Sequence, residues 1–144
     1  MRKFGLCVLV AASIASVPAS AAKVSMTFKN LGNKEISVAK TSFCGTLSPT
    51  PKSINPGGTS EVSSTDCGST VSSAYVDYKN GVDTCRFVIS TIYTNPNSIT
   101  GAAGYWTGTA NATANSGSPT CKVESRDTST TATTGDFGAV FSMK

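Results

Sequence analysis

The residues able to perform acid–base or metal chemistry are few. The sequence of 144 residues contains five cysteines and eight acidic residues but no histidine. A Ser-His-Asp triad, a Cys-His pair, an HExxH metal site and a zinc finger of paired cysteines and histidines all need histidine. These four site classes are therefore excluded, and we expect a protein that is not an enzyme and uses no cofactor.

The cysteines are spaced for disulfides. Cys7 lies in the N-terminal segment, which leaves an even set of Cys44, Cys67, Cys85 and Cys121. No two of them stand in C-x-x-C spacing, which disfavours a redox pair and a zinc site built on paired knuckles. Four cysteines allow three connectivities. We favour Cys44–Cys67 with Cys85–Cys121, because short-range pairing costs the least chain closure.

Asp127 and Asp136 bracket a Thr-rich loop and are the carboxylates best spaced to share a cation. Calcium takes about six to eight oxygen ligands. No D-x-D-x-D array accompanies the pair. We therefore predict no metal site.

Aromatic and basic side chains supply the candidate binding residues. Tyr105 and Trp106 are adjacent, and neighbours on a strand face opposite ways, so one ring can fill the core while the other is exposed. An exposed ring can stack on a sugar, a protein side chain or a lipid headgroup; the alternative is that both rings pack in the core. Tyr75 and Arg86 form a second candidate patch, with Asp77 diagonal to Arg86. Its alternative is an ordinary cross-strand pair that stabilises the sheet.

The elements that position these residues are short strands. The sequence is rich in Ser, Thr and Gly, and apolar residues alternate with polar ones, as over Val24–Phe28. Lys34–Phe43 follows a turn and is predicted to form an N-terminal hairpin with that strand. We count seven to eight strands, which predicts an all-β fold: an antiparallel β-sandwich, or a small barrel, with two disulfides.

The clearest hairpin surrounds Asn80-Gly81, a strong signal for a two-residue turn. This turn places Val76 opposite Cys85 and gives the hairpin one apolar face. We predict that this face belongs to the core and that the other is solvated. The predicted core face carries Ala74, Val76, Tyr78, Cys85, Phe87 and Ile89.

Residues 1–22 have the layout of a secretory signal peptide: a basic start at Met1-Arg2-Lys3, an apolar run and small residues before the cleavage site. Cleavage is predicted after Ala21 or Ala22. The apolar run spans about 14 residues, short of the roughly 20 that a transmembrane helix needs. We therefore expect residues 23–144 to form one secreted or periplasmic domain with no transmembrane segment.

The charge of the mature chain indicates no nucleic-acid partner. Loss of the signal peptide leaves ten basic residues against eight acidic ones, without a basic cluster. We predict an exported, non-catalytic binding or structural module. Its partner would be an extracytoplasmic protein, a glycan or a lipid, and an inhibitor or immunity role belongs to the same class.

A second hypothesis rests on two segments with a recognisable rhythm of turns and strands. Asn55–Val62 leads to Cys67-Gly68, and Ile89–Tyr93 precedes Asn95-Pro96. This arrangement resembles that of aegerolysins, small secreted β-sandwich proteins associated with lipid binding. The resemblance implies a membrane-lipid-binding or membrane-active protein.

Overall fold

A computed structural model of the protein describes residues 22–97 and 99–144. The predicted signal peptide, residues 1–22, lies outside this described part except for Ala22. Within it the chain forms nine strands and one short helix. They are β1 (Val24–Asn30), β2 (Ser37–Phe43), β3 (Thr46–Ser48), β4 (Thr59–Thr65), β5 (Val71–Asn80), β6 (Asp83–Thr94), β7 (Tyr105–Ser116), β8 (Cys121–Asp127), α1 (Thr131–Thr134) and β9 (Phe137–Met143).

The strands form two sheets that enclose one apolar core. The five-stranded sheet has the order β3-β4-β1-β9-β8, and the four-stranded sheet has the order β2-β5-β6-β7. The predicted all-β sandwich is confirmed, with nine strands in the described residues rather than seven or eight. Strand pairs are antiparallel except that β1 runs parallel to β9.

The predicted hairpin of the first two strands is wrong. β1 pairs with β4 and β9, whereas β2 pairs with β5 in the other sheet. The buried Asn30 redirects the chain. Its Nδ2 donates to the carbonyl oxygens of Lys34 and Ile54, both at 2.8 Å, and its Oδ1 accepts the Gly32 N–H at 3.0 Å. These bonds hold the connection as it crosses between the sheets.

The core forms because alternate residues of each strand point inward. The Phe28 ring lies 4.9 Å from Tyr78, 5.5 Å from Phe87 and 5.8 Å from Phe141, measured between centroids. Phe28 and Phe141 belong to the five-stranded sheet, and the other two rings belong to the four-stranded sheet. The packed rings therefore join the two layers.

Both predicted disulfides form, with Cα–Cα distances of 5.1 Å for Cys44–Cys67 and 5.7 Å for Cys85–Cys121. Cys44 follows β2 and Cys67 follows β4, while Cys85 lies in β6 and Cys121 begins β8. Each bridge therefore links one sheet to the other. Two such bridges are consistent with an extracellular or otherwise oxidising compartment.

The β5–β6 hairpin has the predicted position and faces but a different register. Tyr78, not Val76, lies opposite Cys85. The turn is Gly81-Val82, and Gly81 takes a φ of 62°, a conformation that glycine adopts without steric cost. A shift of two residues leaves every side chain on its predicted face. All six predicted core residues of the hairpin are buried.

Candidate functional site

The Tyr105-Trp106 pair begins β7, and its two rings lie on opposite sides of the sheet. Trp106 is 5% exposed, whereas Tyr105 is 49% exposed. The Trp106 ring lies 5.3 Å from the Tyr93 ring, and it also packs on Gly135, where a Cβ would come within 2.5 Å of the indole. Trp106 is thus a packing residue, and Tyr105 is the ring available to a ligand.

Arg86 and Asp77 form an ion pair on the outer face of the four-stranded sheet. Nε and Nη2 of Arg86 donate to the two carboxylate oxygens of Asp77, both at 2.8 Å. Asp77 lies directly opposite Arg86 rather than diagonal to it, and Arg86 Cζ lies 4.6 Å from the centroid of the Tyr75 ring. The bond to Asp77 raises the pKa of Arg86 above its usual value. Asp77 therefore pairs the charge of Arg86 within the sheet, and a binding role for Tyr75 and Arg86 stays a prediction.

The two predicted patches do not form one site. Tyr105 pairs with Thr94 at one end of β6, whereas Arg86 lies near the other end of the same strand. The eight residue steps from Arg86 to Thr94 span about 26 Å at roughly 3.3 Å per residue. Tyr105 and Arg86 therefore lie toward opposite ends of the same outer face of the four-stranded sheet.

Large apolar side chains are exposed at the end of the four-stranded sheet where Tyr105 lies. Ile99 is 94% exposed, Ile92 50%, Tyr105 49% and Val71 44%. Val71 pairs with Ile92, and Ile99 lies in the loop that joins β6 to β7. We call these four residues the apolar end. The sequence pattern identified only Tyr105 among them.

The loop of residues 95–104 presents Ile99 at its tip. The Asn97 N–H donates to the Ala102 carbonyl oxygen at 2.9 Å, which closes the neck of the loop. Asn97 Oδ1 accepts the N–H groups of Ile99 at 2.9 Å and Thr100 at 3.2 Å. Asparagine stabilises turns through such bonds. The turn is therefore held by its own polar groups, and the Ile99 side chain is left to solvent.

The apolar end lies in a part of the chain that carries no charge. Lys, Arg, Asp and Glu are absent from Phe87 to Cys121 and from Cys67 to Val76. These two uncharged segments were the sequence signal that could have located the apolar end. They could not show which of their apolar residues are exposed, because that depends on register and packing.

The opposite end of the four-stranded sheet is charged. Val82 at the β5–β6 turn is 79% exposed, but Lys79 and Asp83 flank the turn. A single exposed apolar residue is ordinary on a protein surface. The two ends of this sheet therefore differ in chemical character.

Asp127 and Asp136 do come together, along one groove on the five-stranded sheet that Lys23 and Gly138 also line. Over residues 22–97 and 99–144, no three or more His, Cys, Asp or Glu side chains are grouped so that they could hold a metal ion. Two carboxylates alone fall short of the oxygen ligands that calcium takes.

No helix in the described part of the chain is long and apolar enough to cross a membrane. No family model matches the sequence, and no curated protein matches it. The resemblance to aegerolysins therefore stays a prediction.

Among solved structures, the chain is similar to the crystal structure of the lipid-binding protein Nakanori. The TM-score is 0.52 and the sequence identity is 9%, over 85% of this chain and 71% of that chain. Identity this low carries the likeness of fold and nothing finer. This chain therefore shares its β-sandwich fold with a lipid-binding protein.

Proposed function

We propose that this protein is an exported, non-catalytic binding protein that docks on lipid bilayers through its apolar end. The observation that carries the proposal is the exposure of Ile99, at 94%. Burial of an isoleucine lowers the free energy through the hydrophobic effect. A side chain as exposed as Ile99 can be buried only when a partner covers it. Ile92, Val71 and Tyr105 add exposed apolar surface at the adjoining ends of the strands.

The surroundings of the apolar end suit the interface of a bilayer. Tyrosine is favoured at the level of lipid headgroups, where its ring is in apolar surroundings and its hydroxyl stays wet. Taking charges into the hydrocarbon region is costly, and the segments that form the apolar end have no charge to bury. We infer that docking is driven by apolar burial and needs no anionic lipid.

The fold likeness to a lipid-binding protein supports this reading. So does the disulfide-linked sandwich, because a loop on a rigid scaffold meets its ligand with little ordering cost. The predicted signal peptide would deliver the domain to the periplasm or the exterior, where it meets a membrane surface. The competing hypothesis is that a glycan or a protein binds at the apolar end.

The test is flotation with vesicles of phosphatidylcholine, alone or mixed with phosphatidylglycerol or phosphatidylethanolamine. We expect the protein to float with phosphatidylcholine alone, at low and high salt alike. Ile99→Asp should weaken binding at least tenfold, because burying one isoleucine contributes about 1.5–3 kcal/mol and about 1.4 kcal/mol corresponds to tenfold.

Val82→Asp is the matched control, since it makes the same kind of change at the charged end of the same sheet. It should bind vesicles as the unaltered protein does. If the protein floats with none of the vesicle compositions, the proposal is overturned. An equal loss of vesicle binding in Ile99→Asp and Val82→Asp would overturn it too. Binding that requires phosphatidylglycerol and vanishes at high salt would replace apolar docking with electrostatic attraction.

A further inference from the structure

Gly138, the second residue of β9 in the five-stranded sheet, is not required there by backbone conformation or packing. It lies on β9 between Ser25 of β1 and Asp127 of β8. Its φ is outside the left-handed region, and a Cβ would meet nothing closer than Asp127 Cβ at 3.5 Å. Gly108 is the contrast, because a Cβ there would lie 2.5 Å from the Phe137 ring. Glycine weakens a strand, and in a strand it often marks a bulge, a tight bend, or a place where a ligand or another backbone approaches closely.

The missing side chain leaves a groove on the outer face of the sheet. Two adjoining depressions of about 230 Å³ each meet over Gly138 and share Ser25 and Asp127 as lining residues. Lys23, Thr130 and Asp136 also line one of the two depressions. The groove thus has a backbone floor with hydroxyl and carboxylate groups around it.

The carboxylates are held in place but keep acceptor capacity. Asp127 accepts the Ser129 N–H at 3.0 Å, and Asp136 accepts the Lys23 N–H at 2.8 Å. A carboxylate offers about four acceptor positions, so each retains positions for a ligand. Hydrogen bonds from Ser129 lower the pKa of Asp127, because they stabilise its ionised form.

The two carboxylates of the groove select against anions, because Asp127 and Asp136 repel a negative charge. Two carboxylates alone also fall short of the oxygen ligands that calcium takes. A neutral ligand with many hydroxyl groups can donate hydrogen bonds to both carboxylates. Hydrogen bonds of this kind to ionised groups are stronger than those between neutral groups.

We propose that the groove over Gly138 is a saccharide-binding site. Ligand hydroxyls donate to Asp127 and Asp136, and the sugar ring lies against the backbone at Gly138. The groove is on the other sheet from the apolar end, so the site does not depend on lipid docking. The same chemistry fits a free oligosaccharide and the sugar headgroup of a glycolipid.

The test is nuclear magnetic resonance titration of ¹⁵N-labelled domain with maltotriose, cellotriose, chitotriose and mannotriose, and with calcium chloride. A saccharide that shifts the Gly138 and Asp127 amide signals supports the site, with a free glycan as source. If only vesicles containing digalactosyldiacylglycerol bind through the groove, the headgroup is the source. Absence of both responses overturns the proposal, and a response to calcium alone assigns the carboxylates to a cation instead.

Gly138→Thr places a side chain in the groove. Threonine is also a residue that strands favour. We expect the variant to keep or raise the melting temperature, to weaken saccharide binding at least tenfold and to leave binding to sugar-free vesicles unchanged. Asp127→Asn should weaken saccharide binding about tenfold, and Ile99→Asp should not affect it. A melting temperature lowered by Gly138→Thr as much as by Gly108→Ala would show that Gly138 is a packing glycine.

Discussion

Tyr78 has the largest of the fully buried side chains and carries a polar group into the core. Its hydroxyl donates to the Lys52 carbonyl oxygen at 3.0 Å. Burial raises the pKa of Tyr78 to about 12, because a phenolate in the core would lose its hydration. Deprotonation of Tyr78 therefore destabilises the folded chain.

We expect the free energy of unfolding to fall as pH rises from 10.0, the ordinary pKa of the Tyr78 side chain, to about 12. In this range the unfolded chain has released the proton and the folded chain retains it, so deprotonation favours unfolding. The contribution of Tyr78 is fully present at lower pH and amounts to about 3 kcal/mol, from two pKa units at about 1.4 kcal/mol each. Urea unfolding at a series of alkaline pH values measures it.

Tyr78→Phe and Tyr75→Phe form the matched pair for this measurement. Tyr78→Phe should be less stable at neutral pH by about 1 kcal/mol through loss of a hydrogen bond, yet show a shallower alkaline decline. Tyr75→Phe, altered on the outer face, should keep the original decline. Identical slopes in all three proteins would contradict the role of Tyr78.

At the scale of elements, the connection after β1 decides which strands pair. Asn30-Leu31-Gly32-Asn33 has the composition of a hairpin turn. However, the Asn30 N–H donates to the Gly58 carbonyl oxygen at 3.1 Å, and the Gly57 N–H donates to the Asn30 carbonyl oxygen at 2.9 Å. The segment is thereby fixed to a distant loop. This anchoring explains why β2 continues into the other sheet.

Asn30→Ala should lower the free energy of unfolding by about 3 kcal/mol, because the three hydrogen bonds of this buried amide to the Lys34 and Ile54 carbonyl oxygens and from the Gly32 N–H are lost. Asn33→Ala, three residues along in the exposed part of the same connection, should change it by less than about 0.5 kcal/mol. Urea denaturation monitored by tryptophan fluorescence compares them. Similar free energies of unfolding for both variants would contradict the anchoring role of Asn30.

At the scale of the molecule, the disulfides fasten the sandwich at both ends. Cys44–Cys67 lies at the same end of the sheets as the four residues of the apolar end. Cys85–Cys121 lies toward the charged end. Both connect the two sheets, so neither sheet can separate without strain on a bridge. The loop that carries Ile99 therefore rests on a scaffold held together by covalent links.

Replacing each pair of cysteines by alanine should cost about 3–4 kcal/mol on the chain-entropy model. The sequence separations are 23 residues for Cys44–Cys67 and 36 for Cys85–Cys121, so the second loss should be slightly larger. Calorimetry of the two double variants measures both. A melting temperature unchanged by either replacement would mean that packing alone holds the sheets together.

Local spacing and composition were sufficient for several properties of this protein. Alternation of apolar residues predicted the all-β class and the buried face of the β5–β6 hairpin, since a strand's two faces follow from its own sequence. Short separation predicted the disulfide pairing, since closing a small loop costs little entropy. The absence of histidine, which excluded whole classes of catalytic site, needed no structure at all.

Other properties depend on contacts between residues far apart in the chain, and only the tertiary structure decided them. Period-two alternation assigns a face to each side chain but does not name the neighbouring strand, so the parallel pairing of β1 with β9 left no local signal. Burial of Trp106 and exposure of Tyr105 were set by the Tyr93 and Gly135 contacts. The exposed Ile99 and the groove over Gly138 exist for the same reason: a surface is formed by the strands that meet there.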